Sequence, residues 1–179
     1  YAAAQDMTTP RWEKLGRLFD PEARPRHPKL VSHAANPLAV PLDGDVYRVF
    51  YSGRDAQNRS SVGAVDIDVT TQKIVREHDA LIFSNGPAGS FYADGVSIGN
   101  CYQAADGKRY ILFMGWQIPD GEHWRGDVGR LCLRDDLSLE LSPETPFMGV
   151  DQTDPISLSY PWVHVADSKH FQMWYGSTH

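Results

Sequence analysis

A phrase that occurs three times limits what this 179-residue chain can fold into. Val46-Tyr-Arg-Val-Phe-Tyr-Ser-Gly-Arg54 returns as Tyr110-Ile-Leu-Phe-Met-Gly-Trp116 and again as Phe171-Gln-Met-Trp-Tyr-Gly-Ser177. Each copy is rich in β-branched and aromatic residues, the composition of half-buried strands. Each follows a turn: Asp43-Gly44-Asp45, Ala105-Asp106-Gly107 and Ala166-Asp167-Ser168. The first turn carries a central glycine, which supplies the positive φ a tight hairpin needs. Gly53, Gly115 and Gly176 register the copies at separations of 62 and 61 residues. A nearly constant period with a hairpin signal in each copy marks a β-repeat array.

Between these anchors the chain reads as short strands, expected at 35–40, 46–52, 61–67 and 73–79, then 95–103, 109–115, 127–134 and 137–141, then 160–165 and 170–175. No stretch shows a 3.6-residue apolar period, so the fold class is all-β. Four strands in each unit of roughly 60 residues are the pattern of β-propeller blades. The expected division is a lead-in at 1–33, blade 1 at 34–80, blade 2 at 81–142 and the start of blade 3 at 143–179. Trp12 to Phe19 reads as one further strand, of the kind that closes a propeller ring. Residues 20–29 hold three prolines and exclude a helix. About two and a half blades are visible. A propeller closes with typically four to eight, so further blades are expected C-terminal to this chain.

Hydrophobic residues at 41% suffice for a packed core, and a net charge of −6 with no basic patch argues against nucleic acid as a partner. The two cysteines, Cys101 and Cys132, form no disulfide framework. They fall on the first and third strands of one blade, too far apart to bridge, and are expected to be free thiols. No run is long enough for a membrane-spanning helix. No signal peptide is visible, although the sequence starts at Tyr1 rather than Met, so localisation stays open with the cytoplasm favoured. There is no Cys-x-x-Cys, His-x-x-x-His or phosphate-cradling glycine loop. Neither a metal nor a cofactor is expected.

Loop lengths point to a working face. The first–second and third–fourth strand turns are short, at 43–45, 68–72 and 104–108. The other connections, 53–60, 80–94, 116–126 and 142–159, are long, and long loops on a rigid scaffold carry function. Most of the unusual side chains lie there. Asp94, before Gly95 at the mouth of an inner strand, reads either as a channel-facing carboxylate or as a turn Asp accepting backbone N–H groups. Arg54 and Asp55 end a strand, as a planar clamp on carboxylate or hydroxyl groups or as a rim ion pair. Asn36, preceded by His33, opens the inner strand of blade 1. The loop Gly121-Glu-His-Trp-Arg-Gly126 packs Glu122, His123 and Trp124 together. Glu122 reads as a general acid if Trp124 desolvates it, or the loop is merely pinned by Trp124 and Arg125. Tyr92, Trp116 and Tyr160 offer flat apolar faces of the kind that stack on sugar rings, or that fill a strand core.

These segments resemble the five-bladed β-propeller glycosidase superfamily of arabinanases, invertases, levansucrases and mannoside phosphorylases. The residues that carry the resemblance are Ser32-His-Ala-Ala-Asn-Pro37, Tyr47-Arg-Val-Phe-Tyr-Ser-Gly-Arg54, Gly89-Ser-Phe-Tyr-Ala-Asp-Gly-Val96 and Phe171-Gln-Met-Trp-Tyr-Gly176. The resemblance covers most of residues 12–179 and implies a carbohydrate substrate or ligand in a central pocket. Its members use carboxylates on the inner strands of successive blades. Asp94 matches the second of these, Asn36 stands at the first, and the third falls near Ser159 to Trp162, where there is no Glu. Glycoside hydrolysis normally needs two carboxylates. The partner of Asp94 would then be Asp55, Glu122, Asp151, Asp154 or a residue beyond the chain. The expected function is glycoside hydrolysis; the alternative is a non-catalytic carbohydrate-binding propeller. His33, Asn36, Arg54, Tyr92, Trp116, His123, Trp124 and Tyr160 are the expected ligand contacts in either case.

Overall fold

The computed structural model describes residues 12–24, 26–119 and 123–178. Among them the chain is all-β, with ten strands and no helix. β1 (Ser32–Asp43), β2 (Val46–Arg54), β3 (Ser60–Asp68) and β4 (Lys73–Glu77) form one antiparallel meander. β5 (Gly95–Gln103), β6 (Arg109–Gln117), β7 (Arg125–Leu133) and β8 (Leu139–Leu141) form a second. β9 (Ser157–Val165) and β10 (Phe171–Thr178) pair as a hairpin. One parallel bridge, Ser60 with Gly95, joins the two meanders into an eight-stranded network. The described sheets do not close into a ring.

The ten strands lie close to where the sequence pattern places them; most extend further at one or both ends, while β4 and β8 are shorter. The segment at Trp12–Phe19 differs: it forms no strand. It has no strand neighbour to supply ladder hydrogen bonds, and Trp12 and Leu15 are exposed. Instead Phe19, Arg24, Arg26 and Leu30 lie over the outer face of the first meander. Phe19 packs on Tyr51, with ring centroids 5.2 Å apart. Arg24 and Arg26 each reach Glu77 at 2.8 Å.

The sheets stack face to face, which explains why β2, β3, β6 and β7 are buried on both faces along most of their length. On β2, Phe50 faces the second meander and Tyr51 faces the Leu30 segment. On β6, Ile111 and Phe113 join the core shared with the first meander, while Leu112 joins Leu158 and Val163 against the hairpin. The registering glycines follow from this stacking. A Cβ on Gly53 would lie 2.7 Å from Leu30 Cδ2, and one on Gly115 would lie 2.7 Å from the Phe91 ring. One on Gly176 would instead collide with Ser159 Oγ, on the paired strand of its own hairpin. Each copy of the phrase is therefore tied to glycine by close packing. Cys101 and Cys132 sit on β5 and β7, separated by β6, and both are free thiols.

Candidate functional site

A cleft of about 450 Å³ opens at the end of the sheets that carries the longer connections. It lies within the range typical of small-molecule sites. Every sheet contributes to it. Ala35 and Asn36 come from β1, Ser97 from β5 and Tyr160 from β9. Ser52 and Arg54 come from β2, Met114 and Trp116 from β6. Asn58, Ser60, Ile118 and Trp124 complete the lining from the adjoining connections and the start of β3.

The repeat explains this convergence. Side chains alternate along a strand, so the residues before and after a registering glycine share a face. Ser52 and Arg54 flank Gly53, and Met114 and Trp116 flank Gly115. The two pairs stand at matching positions of successive sheets. In the third copy the flanking Tyr175 and Ser177 bind the buried carboxylate of Asp154, with the Tyr175 hydroxyl donating at 2.9 Å.

Two lining residues adopt a backbone that L-residues avoid: Asn36 at φ 51° and Tyr160 at φ 47°. Both sit at irregularities in the β1–β2 and β9–β10 ladders. His33, at φ 62°, occupies an earlier bulge on β1. Left-handed backbone at bulky residues persists only where the surroundings impose it, and it concentrates at ligand sites.

Arg54 is the one charged side chain among the described lining residues. It is half-buried, donates from Nη1 to Asn58 Oδ1 at 2.7 Å, and its guanidinium carbon lies 5.9 Å from the Trp116 ring centroid. The Trp116 indole N–H donates to Ser60 Oγ at 3.1 Å, which fixes the ring. Ser52 Oγ accepts from the Ile98 N–H at 3.1 Å. Among the described residues, the side chains of Asn36 and Ser97 have no protein hydrogen-bond partner.

Of the residues expected from sequence, the cleft brings together Asn36, Arg54, Trp116, Trp124 and Tyr160. The others lie elsewhere. Tyr92 packs into the core among Phe83, Phe91 and Phe113, and burial pushes its hydroxyl pKa up. His33 is exposed and bonded to Ser32 Oγ at 2.8 Å. His123 is exposed, its ring 5.4 Å from Trp124, just outside the lining. Asp55 is buried and fully engaged in its own loop. Its Oδ1 accepts the Gln57 and Arg59 N–H groups at 2.9 and 2.8 Å, and its Oδ2 accepts Arg59 Nε at 2.9 Å. Burial opposes its charge, but the Arg59 and Gln57 bonds prevail and hold its carboxyl below the ordinary range. Glu122 lies outside the described residues.

Asp94 lines a neighbouring hollow with Arg59, Gly86, Gly89 and Gln117. Its Oδ2 accepts the Ile118 N–H at 2.7 Å, and its own N–H donates to the Trp116 carbonyl at 3.0 Å. The same backbone bond in the first meander runs from Val31 to Arg54 at 2.8 Å. The residue equivalent to Asp94 is therefore Val31, not Asn36. Two bulges lie between Ser32 and Leu38, so β1 starts earlier than the sequence pattern suggests and Asn36 lies inside it. Asp151 caps a turn through the Thr153 and Asp154 N–H groups at 2.7 and 3.0 Å.

Sequence reasoning missed Ser52, Asn58, Ser60, Ser97 and Met114. Ser52 and Met114 were legible as the residues preceding the registering glycines. Asn58, Ser60 and Ser97 are common residues that only the assembled sheets bring to one place.

No protein-family model matches the chain. It is similar to two uncharacterised proteins of Mycobacterium tuberculosis, from strains CDC 1551 / Oshkosh and ATCC 25618 / H37Rv. Each is 38% identical over 167 residues, 93% of this chain and 54% of the relative. The chain thus spans about half the length of the curated relatives it matches.

Proposed function

We propose that the meanders are blades of a five-bladed β-propeller of the glycosidase type, and that the cleft at their shared end recognises a saccharide. The observation that carries this reading is the composition of the cleft. Three aromatic side chains, Trp116, Trp124 and Tyr160, stand among amides and hydroxyls from Asn36, Asn58, Ser60 and Ser97. A sugar ring needs that combination, an apolar face for its C–H groups and polar groups for its hydroxyls. The repeated meanders, stacked face to face with their long connections at one end, support the propeller.

Recognition is favoured over turnover because no carboxylate among the described residues lines the cleft. Glycoside hydrolysis is the second reading. Asp94 favours it, because Ile118 both lines the cleft and donates its N–H to that carboxylate. Titration of the intrinsic tryptophan fluorescence with a panel of oligosaccharides tests the first reading. Saturable quenching lost in Trp124→Ala is expected, and no response to any saccharide at millimolar concentration refutes it. Aryl-glycoside turnover or phosphorolysis abolished by Asp94→Asn would establish the second reading.

A further inference from the structure

We propose that the saccharide taken by this cleft carries a carboxylate, as a uronic acid residue does, and that Arg54 binds it. The inference rests on the carbohydrate reading above. Its starting point is a charge without a counter-charge. Arg54 is half-buried, and among the described residues no carboxylate lies within ion-pairing distance of it. Its neighbours at the same end of the sheets are internally neutralised. Arg59 holds Asp55 at 2.9 Å and Arg125 holds Asp127 at 3.1 Å. The chain carries net charge −6, so acids were available, yet none of the described ones is placed beside Arg54. Withdrawing a guanidinium from water without an anion is unfavourable, and a bound anion removes that penalty.

Geometry narrows the kind of anion. Asn58 Oδ1 takes one N–H of Nη1, and the Trp116 ring lies within cation–π distance of the guanidinium. Asn58 uses only one of the five N–H groups, and those remaining include a fork that matches a planar carboxylate. With two contacts holding the side chain, little rotamer freedom is left to lose on binding. Charge counting favours a carboxylate over a phosphate. Arg54 is a single cation, and no Lys or His joins it among the described lining residues. A carboxylate brings one negative charge, whereas a phosphate monoester brings roughly 1.5 to 2. The unpartnered Asn36 amide and Ser97 hydroxyl remain for the hydroxyls of the same sugar.

Calorimetric titration of the chain with uronic-acid oligosaccharides, each paired with its carboxyl-reduced neutral counterpart, tests the inference, because each pair differs only at the carboxylate. Glucose 6-phosphate and inorganic phosphate form a further arm. The expected result is a uronate bound about tenfold or more tightly than its reduced partner, a difference that shrinks at high salt. Arg54→Gln should abolish the difference between the two members of each pair, and Arg54→Lys should restore only part of it. The paired comparison in the unaltered chain stands by itself if the variants fold poorly. Equal binding of both members of every pair overturns the carboxylate and leaves saccharide recognition intact. Tighter binding of the phosphates than of any uronate also overturns it. Silence across the whole panel refutes saccharide recognition, and this inference with it.

Discussion

Asp66 keeps its charge in a buried position because two side chains from elsewhere in the chain meet it. Arg48 on β2 forms a two-pronged ion pair with its carboxylate, and His78 Nε2 lies 3.1 Å from its Oδ2. Burial pushes the carboxyl pKa up, but the bonds to Arg48 and His78 outweigh it and hold the value below the ordinary one. A depressed folded-state pKa contributes stability above the unfolded carboxyl's value of about 3.9. That contribution is lost as pH falls through the lower folded value. Unfolding midpoints measured from neutral pH down to acid should therefore fall below about pH 4. Asp66→Asn should be less stable than the parent at neutral pH and should decline less steeply in acid. An equally steep decline in Asp66→Asn would show that the ion pair has no part in it. Sequence gave no hint of this group, because Arg48 and His78 are 18 and 12 residues away and only the strand register brings them together.

At the scale of the element, regular pairing is broken on β1 and β9, the strands that carry Asn36 and Tyr160. β1 changes register three times, and the β9–β10 ladder shifts between Trp174 and Gly176. The shifts turn Asn36 and Tyr160 into the cleft at the expense of backbone strain. Tyr160 is 66% exposed and loses little packing if truncated. For an L-residue the left-handed region costs roughly 1–2 kcal/mol, whereas glycine enters it freely but loses about 0.5–1 kcal/mol of chain entropy. Tyr160→Gly should therefore be at least as stable as the parent in urea unfolding, while the saccharide affinity proposed for the cleft falls. Destabilisation beyond about 1 kcal/mol would mean that Tyr160 is there for packing and not for binding.

The described residues form a stack of layers: the segment that ends at Leu30, two meanders and a hairpin. Leu30 is the anchor of the outermost layer. It is 1% exposed and fits beside Gly53 and Gly63, where side chains would collide with it. Leu30→Ala should destabilise the chain by roughly 2–5 kcal/mol through the cavity it leaves. The measurement is denaturant unfolding with an unchanged dependence on urea. A loss below about 0.5 kcal/mol, the range of ordinary surface substitutions, would show that the segment only rests on the sheet. The opposite end of the stack exposes Trp162 and Trp174, which face each other across the β9–β10 hairpin.

The sequence pattern by itself determined the fold class, the approximate places of the ten strands, the hairpin turns and the free cysteines. Those properties follow from local backbone preference and the two-residue alternation of side chains. It also located Arg54 and Trp116, because they follow the registering glycines Gly53 and Gly115. Tertiary structure decided the rest. Trp12 to Phe19 has strand-like residues and forms no strand, since a strand exists only where a neighbour completes its hydrogen bonds. Tyr92 and Asp55 look like site residues in a loop, yet stacking sends one into the core and local hydrogen bonds hold the other. Asp94 aligns with Val31 because β1 is bulged, and a bulge depends on both strands of a pair. The cleft itself joins residues as far apart in sequence as Ala35 and Tyr160, and that proximity is a property of stacked sheets.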